Sequence, residues 1–185
     1  ARVEGGSWTK AIWEEIRGRQ HELFAGASAC SDMRFDLASG GETDYVNGLF
    51  VSGGFFEVVG VPPVLGRTLA PADDVRDGGA GGPAAVISHA FWQRRFGGAK
   101  DAVGRTLQLN GMAYTVVGVT PQGFLGPTPG RSFDVANPEK GMRFSEAVVL
   151  AESRFGTLGT VGSYSPPPSA GRYRGAGVRA ARGYL

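Results

Sequence analysis

The sequence predicts an α+β fold, a mixed or antiparallel sheet with short helices packed on it, and three observations carry that prediction. Thirty-one glycines and eleven prolines among 185 residues demand many turns and short elements rather than a helical bundle. Asn110-Gly111 stands between two alternating apolar runs and supplies the two positive-φ residues of a type I′ turn, the strongest short-range hairpin signal. The apolar run Ala84-Ala-Val-Ile87 ends at Ser88, a good N-cap, so a short buried strand passes into a helix. With 42% hydrophobic and 10% aromatic residues the chain can bury a core, as one domain or two small lobes.

In chain order, Ser7 caps a helix over 8–20, with Trp8, Ile12 and Ile16 on one stripe and Gly18 weakening the last turn. Residues 33–38 and 43–52 read as strands around the turn Ser39-Gly40-Gly41. Ser52 is the expected N-cap of a short helix over 53–59. Gly60 then takes the left-handed C′ position, with Val61, Pro62 and Pro63 behind it as apolar contact and stop signal. An extended 65–69, a loop over 70–83 and the strand 84–88 follow. Ser88 caps the helix 89–96, which Gly97-Gly98 end. The hairpin over 103–119 opposes Leu109 to Met112 and Leu107 to Tyr114. After Pro121 the pattern gives way to Gly/Pro-rich loop, with one apolar run at 147–151, and from Ser163 a Gly/Pro/Arg-rich segment reads as a flexible tail.

Phe56-Glu-Val-Val-Gly-Val-Pro-Pro63 has a near-copy in Tyr114-Thr-Val-Val-Gly-Val-Thr-Pro121, which raises the question of a tandem duplication. Gly-Arg-Thr-Leu also occurs twice, at 66–69 and 104–107, but it follows the first copy and precedes the second. Duplicated modules keep their internal order, so the likeness is coincidence: a helix ending in Gly60, and a strand containing Gly118. Gly60→Ala is expected to cost on the order of 1–2 kcal/mol through its Cβ at positive φ. Gly118, in a strand, is expected to tolerate Ala better unless it marks a bulge.

Charge narrows the function classes. Residues 1–162 carry 15 basic and 17 acidic side chains, while 163–185 carry four arginines and no acid. A near-neutral body argues against a dedicated nucleic-acid binder, which needs a basic face to displace counterions. No stretch approaches the roughly 18–20 continuous apolar residues that span a bilayer. The opening Ala-Arg-Val-Glu, without initiator Met or signal-peptide core, reads as part of a longer chain. Cys30 is the single cysteine, which excludes an intrachain disulfide and a Cys-based metal cluster.

The constellations that could carry chemistry each meet a plainer account. Gly78-Gly-Ala-Gly-Gly82 precedes a strand instead of following one, the reverse of a phosphate loop, and no Gly-Lys-Ser/Thr follows. Asp73, Asp74 and Asp77 lack the alternating spacing and closing Glu of a calcium loop and read as a solvated acidic loop. Ser88-His89 places a nucleophile beside a base, but adjacent side chains at a helix start diverge and no third partner is identifiable. His21 and His89 are too few for a His-based metal site. Arg94-Arg95 complement a helix dipole. Phe55-Phe56 and Phe91-Trp92 read as core. The expectation is therefore no catalytic residue, no cofactor and no metal, with Ser52, Gly60, Ser88, Asn110 and Gly111 as the residues that shape the fold.

Four stretches in order carry a resemblance. They are Thr43-Asp-Tyr-Val-Asn-Gly-Leu-Phe-Val-Ser-Gly-Gly-Phe-Phe-Glu-Val-Val-Gly-Val61, Leu65-Gly-Arg-Thr-Leu69, Val86-Ile-Ser-His-Ala-Phe-Trp-Gln-Arg-Arg-Phe-Gly97 and Val103-Gly-Arg-Thr-Leu-Gln-Leu-Asn-Gly-Met-Ala-Tyr-Thr-Val-Val-Gly-Val119. Together they resemble the MacB-like periplasmic core domain of ABC-type permeases, in the version of the acidobacterial duplicated permeases, from about Trp8 to Val135. Ala136-Asn-Pro138 stands where members continue with Trp-Val-Pro-Leu. The resemblance implies a core domain over 1–135, a less defined continuation over 136–162 and a tail over 163–185. It implies a porter-like lobe with a second small β-rich lobe, a periplasmic location, and membrane anchoring in the full-length protein. It also implies the parent permease's membrane helices, a separate ATPase subunit and a periplasmic protein as partners, no nucleic acid, and a non-catalytic part in transport. A stand-alone extracytoplasmic ligand- or protein-binding module is the alternative, ahead of a hydrolase built on Ser88.

Overall fold

The computed structural model describes residues 18, 26–37, 44–74, 81–128, 130–138, 149–152 and 158–161. Two compact units divide the chain, Asp32–Gly141 on one side and Ala1–Ser31 with Met142–Leu185 on the other. In the second, β1 (Gly26–Ser28), β9 (Val149–Glu152) and β10 (Leu158–Val161) form a three-stranded antiparallel sheet in the order β1-β9-β10. The expected helix over 8–20, with its Trp8, Ile12 and Ile16 stripe, lies outside the described residues except for Gly18, which is helical. The expected tail from Ser163 lies outside them too.

The unit Asp32–Gly141 is built on a seven-stranded mixed sheet of β2 (Cys30–Asp36), β3 (Tyr45–Val51), β4 (Leu65–Gly66), β5 (Ala84–Ile87), β6 (Thr106–Leu109), β7 (Met112–Val119) and β8 (Val135–Pro138). The order is β2-β3-β8-β5-β7-β4, with β6 also on β7. β3 and β8 are parallel, β8 and β5 antiparallel, β5 and β7 parallel, and β7 is antiparallel to both β4 and β6. Every residue of β5 and β8 is buried, as strands covered on both faces require. β6 alternates exposed and buried, and β3 begins that way before becoming buried throughout.

The sheet curls into a half-barrel, because its distant members meet. The Asn110 N–H donates to the Asp36 carbonyl at 2.9 Å, and Asn110 Oδ1 accepts from the Asp36 N–H at 2.8 Å. Inside the curl, Phe35 and Leu37 face Val46, Phe50, Ile87, Leu107, Leu109, Tyr114, Val116 and Val135. Phe91 of α2 (His89–Phe96) joins this core, with Trp92 and Phe96 packed against it. A second aromatic group links Phe55 and Phe56 of α1 (Phe55–Val58) to Phe124 and Phe133 in edge-to-face steps of 5.2, 6.2 and 5.8 Å.

Most local signals find their structures. Asn110 and Gly111 have φ of 50° and 76°, and the hairpin register opposes Leu109 to Met112 and Leu107 to Tyr114. Ser88 is extended, and its hydroxyl accepts from the Phe91 N–H at 3.1 Å. Gly97 closes α2 with φ 59°. Gly60 has φ 68°; its N–H donates to the Glu57 carbonyl, and the Val61 N–H donates to that of Phe56, the paired bonds of a Schellman motif.

Two expectations are corrected. Ser52 is not the N-cap: that position is Gly54, with no side-chain capping bond, and Ser52 contributes its carbonyl to the Phe55 N–H at 2.9 Å. Gly53 and Gly54 form a turn first, which moves the N-cap position two residues past Ser52. The stretch after Pro121 is not loop throughout, since β8 lies between β3 and β5. Gly118 falls under the exception made for a bulge and is not a permissive strand position. The β5/β7 register shifts between Ala85 and Val86, leaving a bulge before Gly118, and a Cβ there would overlap the Arg67 carbonyl oxygen.

Candidate functional site

Sequence alternation on β2 and β3 sends Phe35, Val46 and Phe50 into the core and leaves Arg34, Tyr45 and Asn47 exposed. Over these exposed positions, the segment 130–132 helps form a cleft of about 500 Å³, lined on the strand side by Asp32, Met33, Arg34, Asn47 and Gly48. Gly48 belongs there because there is no space for more: a Cβ would run into the Phe35 ring. One bond ties the loop to the sheet and another closes the loop on itself. Arg131 donates to Asp32 at 2.8 Å, and Phe133 donates its N–H to the Leu125 carbonyl at 3.1 Å. The Arg34 guanidinium lies over the Tyr45 ring, 4.8 Å from its centroid.

Beside the cleft, Asp134 fastens three segments. Its N–H donates to the Asn47 carbonyl at 2.7 Å, and its carboxylate accepts from the Asn47 N–H at 2.9 Å. The same carboxylate accepts from Arg94 of α2 at 2.9 Å, and its carbonyl accepts from the Ser88 N–H. Arg94, expected only to complement the helix dipole, is thereby an ion-pair partner of Asp134. Ser88 is committed to its cap, and the His89 ring packs edge-to-face on Trp92 at 5.4 Å, so the two do not form a nucleophile and base.

Asp73 corrects the reading of a solvated acidic loop. It is 8% exposed and accepts from Nη1 and Nη2 of Arg67, at 2.7 and 2.9 Å, together with the Ala70 N–H at 2.8 Å. Asp74 accepts from the Gly53 N–H at 2.8 Å. Asp77 lies outside the described residues. Burial pushes the Asp73 pKa up, but the Arg67 bonds, the Ala70 N–H and the Arg67 charge outweigh it and hold the carboxyl below its ordinary value. A lowered pKa gives stability that is present above the unfolded-state value and disappears as pH falls through the folded-state value. The denaturation midpoint of the native chain is therefore expected to exceed that of Asp73→Asn at neutral pH, with the gap closing below ~pH 4. A gap independent of pH would show that the charge of Asp73 contributes nothing.

Asp32, Asn47, Arg131 and Asp134 carry no sequence signal, because their partners are far away along the chain. Asn47 and Asp134 are 87 positions apart, and Asp32 and Arg131 are 99 apart. Among the described residues, no group of His, Cys, Asp and Glu is placed to hold a metal ion.

The family model for the MacB-like periplasmic core domain matches residues 3–163, extending past both ends of the stretch that carries the sequence resemblance. Among solved structures, the chain is similar to the periplasmic region of MacB from Actinobacillus actinomycetemcomitans, with TM-score 0.61 and 14% identity over 84% of this chain and 69% of that one. It is also similar to the extracellular domain of YknZ, a noncanonic ABC-type transporter from Gram-positive bacteria, with TM-score 0.58 and 18% identity over 80% and 75% of the two chains. None of the curated proteins matches the chain.

Proposed function

The chain belongs to the MacB-like periplasmic core domain family, and from that membership we propose that it is a non-catalytic extracytoplasmic domain of an ABC-type permease. In this reading it passes movement of the permease's membrane helices on to export or to engagement of a periplasmic partner. A separate ATPase subunit supplies the energy. The family match over residues 3–163 is the observation that carries the reading. The unit Asp32–Gly141 suits such a part mechanically. Its curled sheet is fastened by the Asn110–Asp36 bonds and its α2 helix by Arg94–Asp134, so a displacement applied to one element is shared by the others. Anchoring in the parent protein implies apolar runs of about 20 residues outside this chain. Among the described residues, no helix is long and apolar enough to cross a membrane.

Deleting the domain from the parent permease is expected to abolish transport while the partner ATPase still binds nucleotide. The purified chain is expected to show no saturable ATP turnover. Full transport after deletion, or ATP hydrolysis by the chain alone, overturns the coupling function. A parent protein without flanking apolar runs would favour a stand-alone binding module instead.

A further inference from the structure

We propose that the cleft formed by β2, β3 and the segment 130–132 is a binding site for a singly charged organic carboxylate. Its volume of about 500 Å³ falls within the range of ~300–1,000 Å³ usual for small-ligand sites. Its charge selects the ligand. Arg34 and Arg131 contribute two positive charges and Asp32 one negative, so one carboxylate neutralises the site. A phosphate dianion would leave it negative, and a metal cation would face two guanidinium groups.

The donors are held in place before any ligand arrives. The bond to Asp32 uses Nη1 of Arg131 and leaves the rest of that planar fork for an incoming carboxylate. Stacking on Tyr45 occupies the face of the Arg34 guanidinium and leaves its N–H edge available, the edge that pairs with carboxylates. The main chain of Asn47 is locked in both directions by Asp134, which holds this residue at the wall of the cleft. Ser132 lines the opposite wall, where its hydroxyl can serve as a further donor. A guanidinium set on aromatic and strand supports, with amide and hydroxyl donors beside it, matches carboxylate geometry better than a scatter of surface charge does.

A carboxylate can come from a free acid or from a Glu or Asp side chain of a polypeptide, and the site holds whether or not the domain couples transport. The test is a titration of the isotopically labelled 185-residue chain, followed by its amide spectrum. The probes are butyrate, an acetylated and amidated Ala-Glu-Ala peptide, the corresponding Ala-Gln-Ala peptide, and inorganic phosphate. The expected result is saturable shifts at Arg34, Asn47 and Ser132 with butyrate or the Glu peptide, at affinities on the order of millimolar. Arg34→Gln and Arg131→Gln should each weaken binding about tenfold. Arg105→Gln, outside the cleft, should not change it. Tighter binding of the Glu peptide identifies a polypeptide source, and tighter binding of butyrate a free acid. Absence of saturable shifts with both carboxylates, equal binding of the Gln peptide, tighter binding of phosphate, or no effect of the Arg34 and Arg131 variants overturns the site.

Discussion

Gly118→Ala is expected to destabilise the domain by about 3 kcal/mol or more, well beyond Gly60→Ala at about 1–2 kcal/mol. Both glycines occur in the same Val-Val-Gly-Val letters, yet different physics holds them. A Cβ at Gly60 meets nothing within 4 Å, so the cost there is only that of a side chain at φ 68°. At Gly118 the backbone is extended, but the Arg67 backbone lies against the Cα. Relief requires moving β4 off β7, which breaks the bonds from Arg67 N–H to the Val117 carbonyl and from Val64 N–H to the Val119 carbonyl, both 2.9 Å. It also disturbs the Arg67–Asp73 pair that holds the following loop. Denaturation midpoints of the two variants check this, and an equal or smaller loss for Gly118→Ala would mean that β4 yields without cost.

Phe56→Ala is expected to cost about 3–5 kcal/mol, the loss typical of a fully buried aromatic side chain with the cavity it leaves. Phe56 is 0% exposed and touches Phe55 and Phe124 edge to face, so it joins α1 to the segment after β7. Its carbonyl also accepts the Val61 N–H that closes the helix, but Ala keeps that bond, so the loss measures side-chain packing alone. Urea denaturation with an unchanged m-value is the measurement. A loss under about 1 kcal/mol would show that the aromatic group collapses around the missing ring.

Legibility in the sequence follows the range of the interaction. Asn110-Gly111, the Ser88 cap, Gly97 and Gly60 are governed by neighbours within a few residues, and letters alone place them. β8 was illegible because Val-Ala-Asn-Pro offers no alternation and ends in a strand-breaking residue. It is a strand because β3 and β5 bracket it and pair with both its edges, while every one of its residues is buried. Asp73 has the composition of a wet loop, and its burial depends on Arg67 reaching it from across the turn. Ser52 failed through a smaller ambiguity, since two following glycines admit either a helix start or a turn. The cleft could not be read at all, because Arg131 comes beside Asp32 and Arg34 of β2 only once the fold exists.

The place of β8 also sets an order of events in time. β3 cannot pair with β8 until residues 87 positions downstream have left the ribosome, and until then β3 and β5 have no bridge between them. The hairpin of β6 and β7, closed by two residues, can form within microseconds of synthesis. The centre of the sheet must wait for a loop closure that long, and pairings of such separation slow folding. A nascent chain ending before Val135 therefore exposes the flanks of two apolar strands, which makes the interval before β8 emerges the period in which this domain most needs protection from association with other chains.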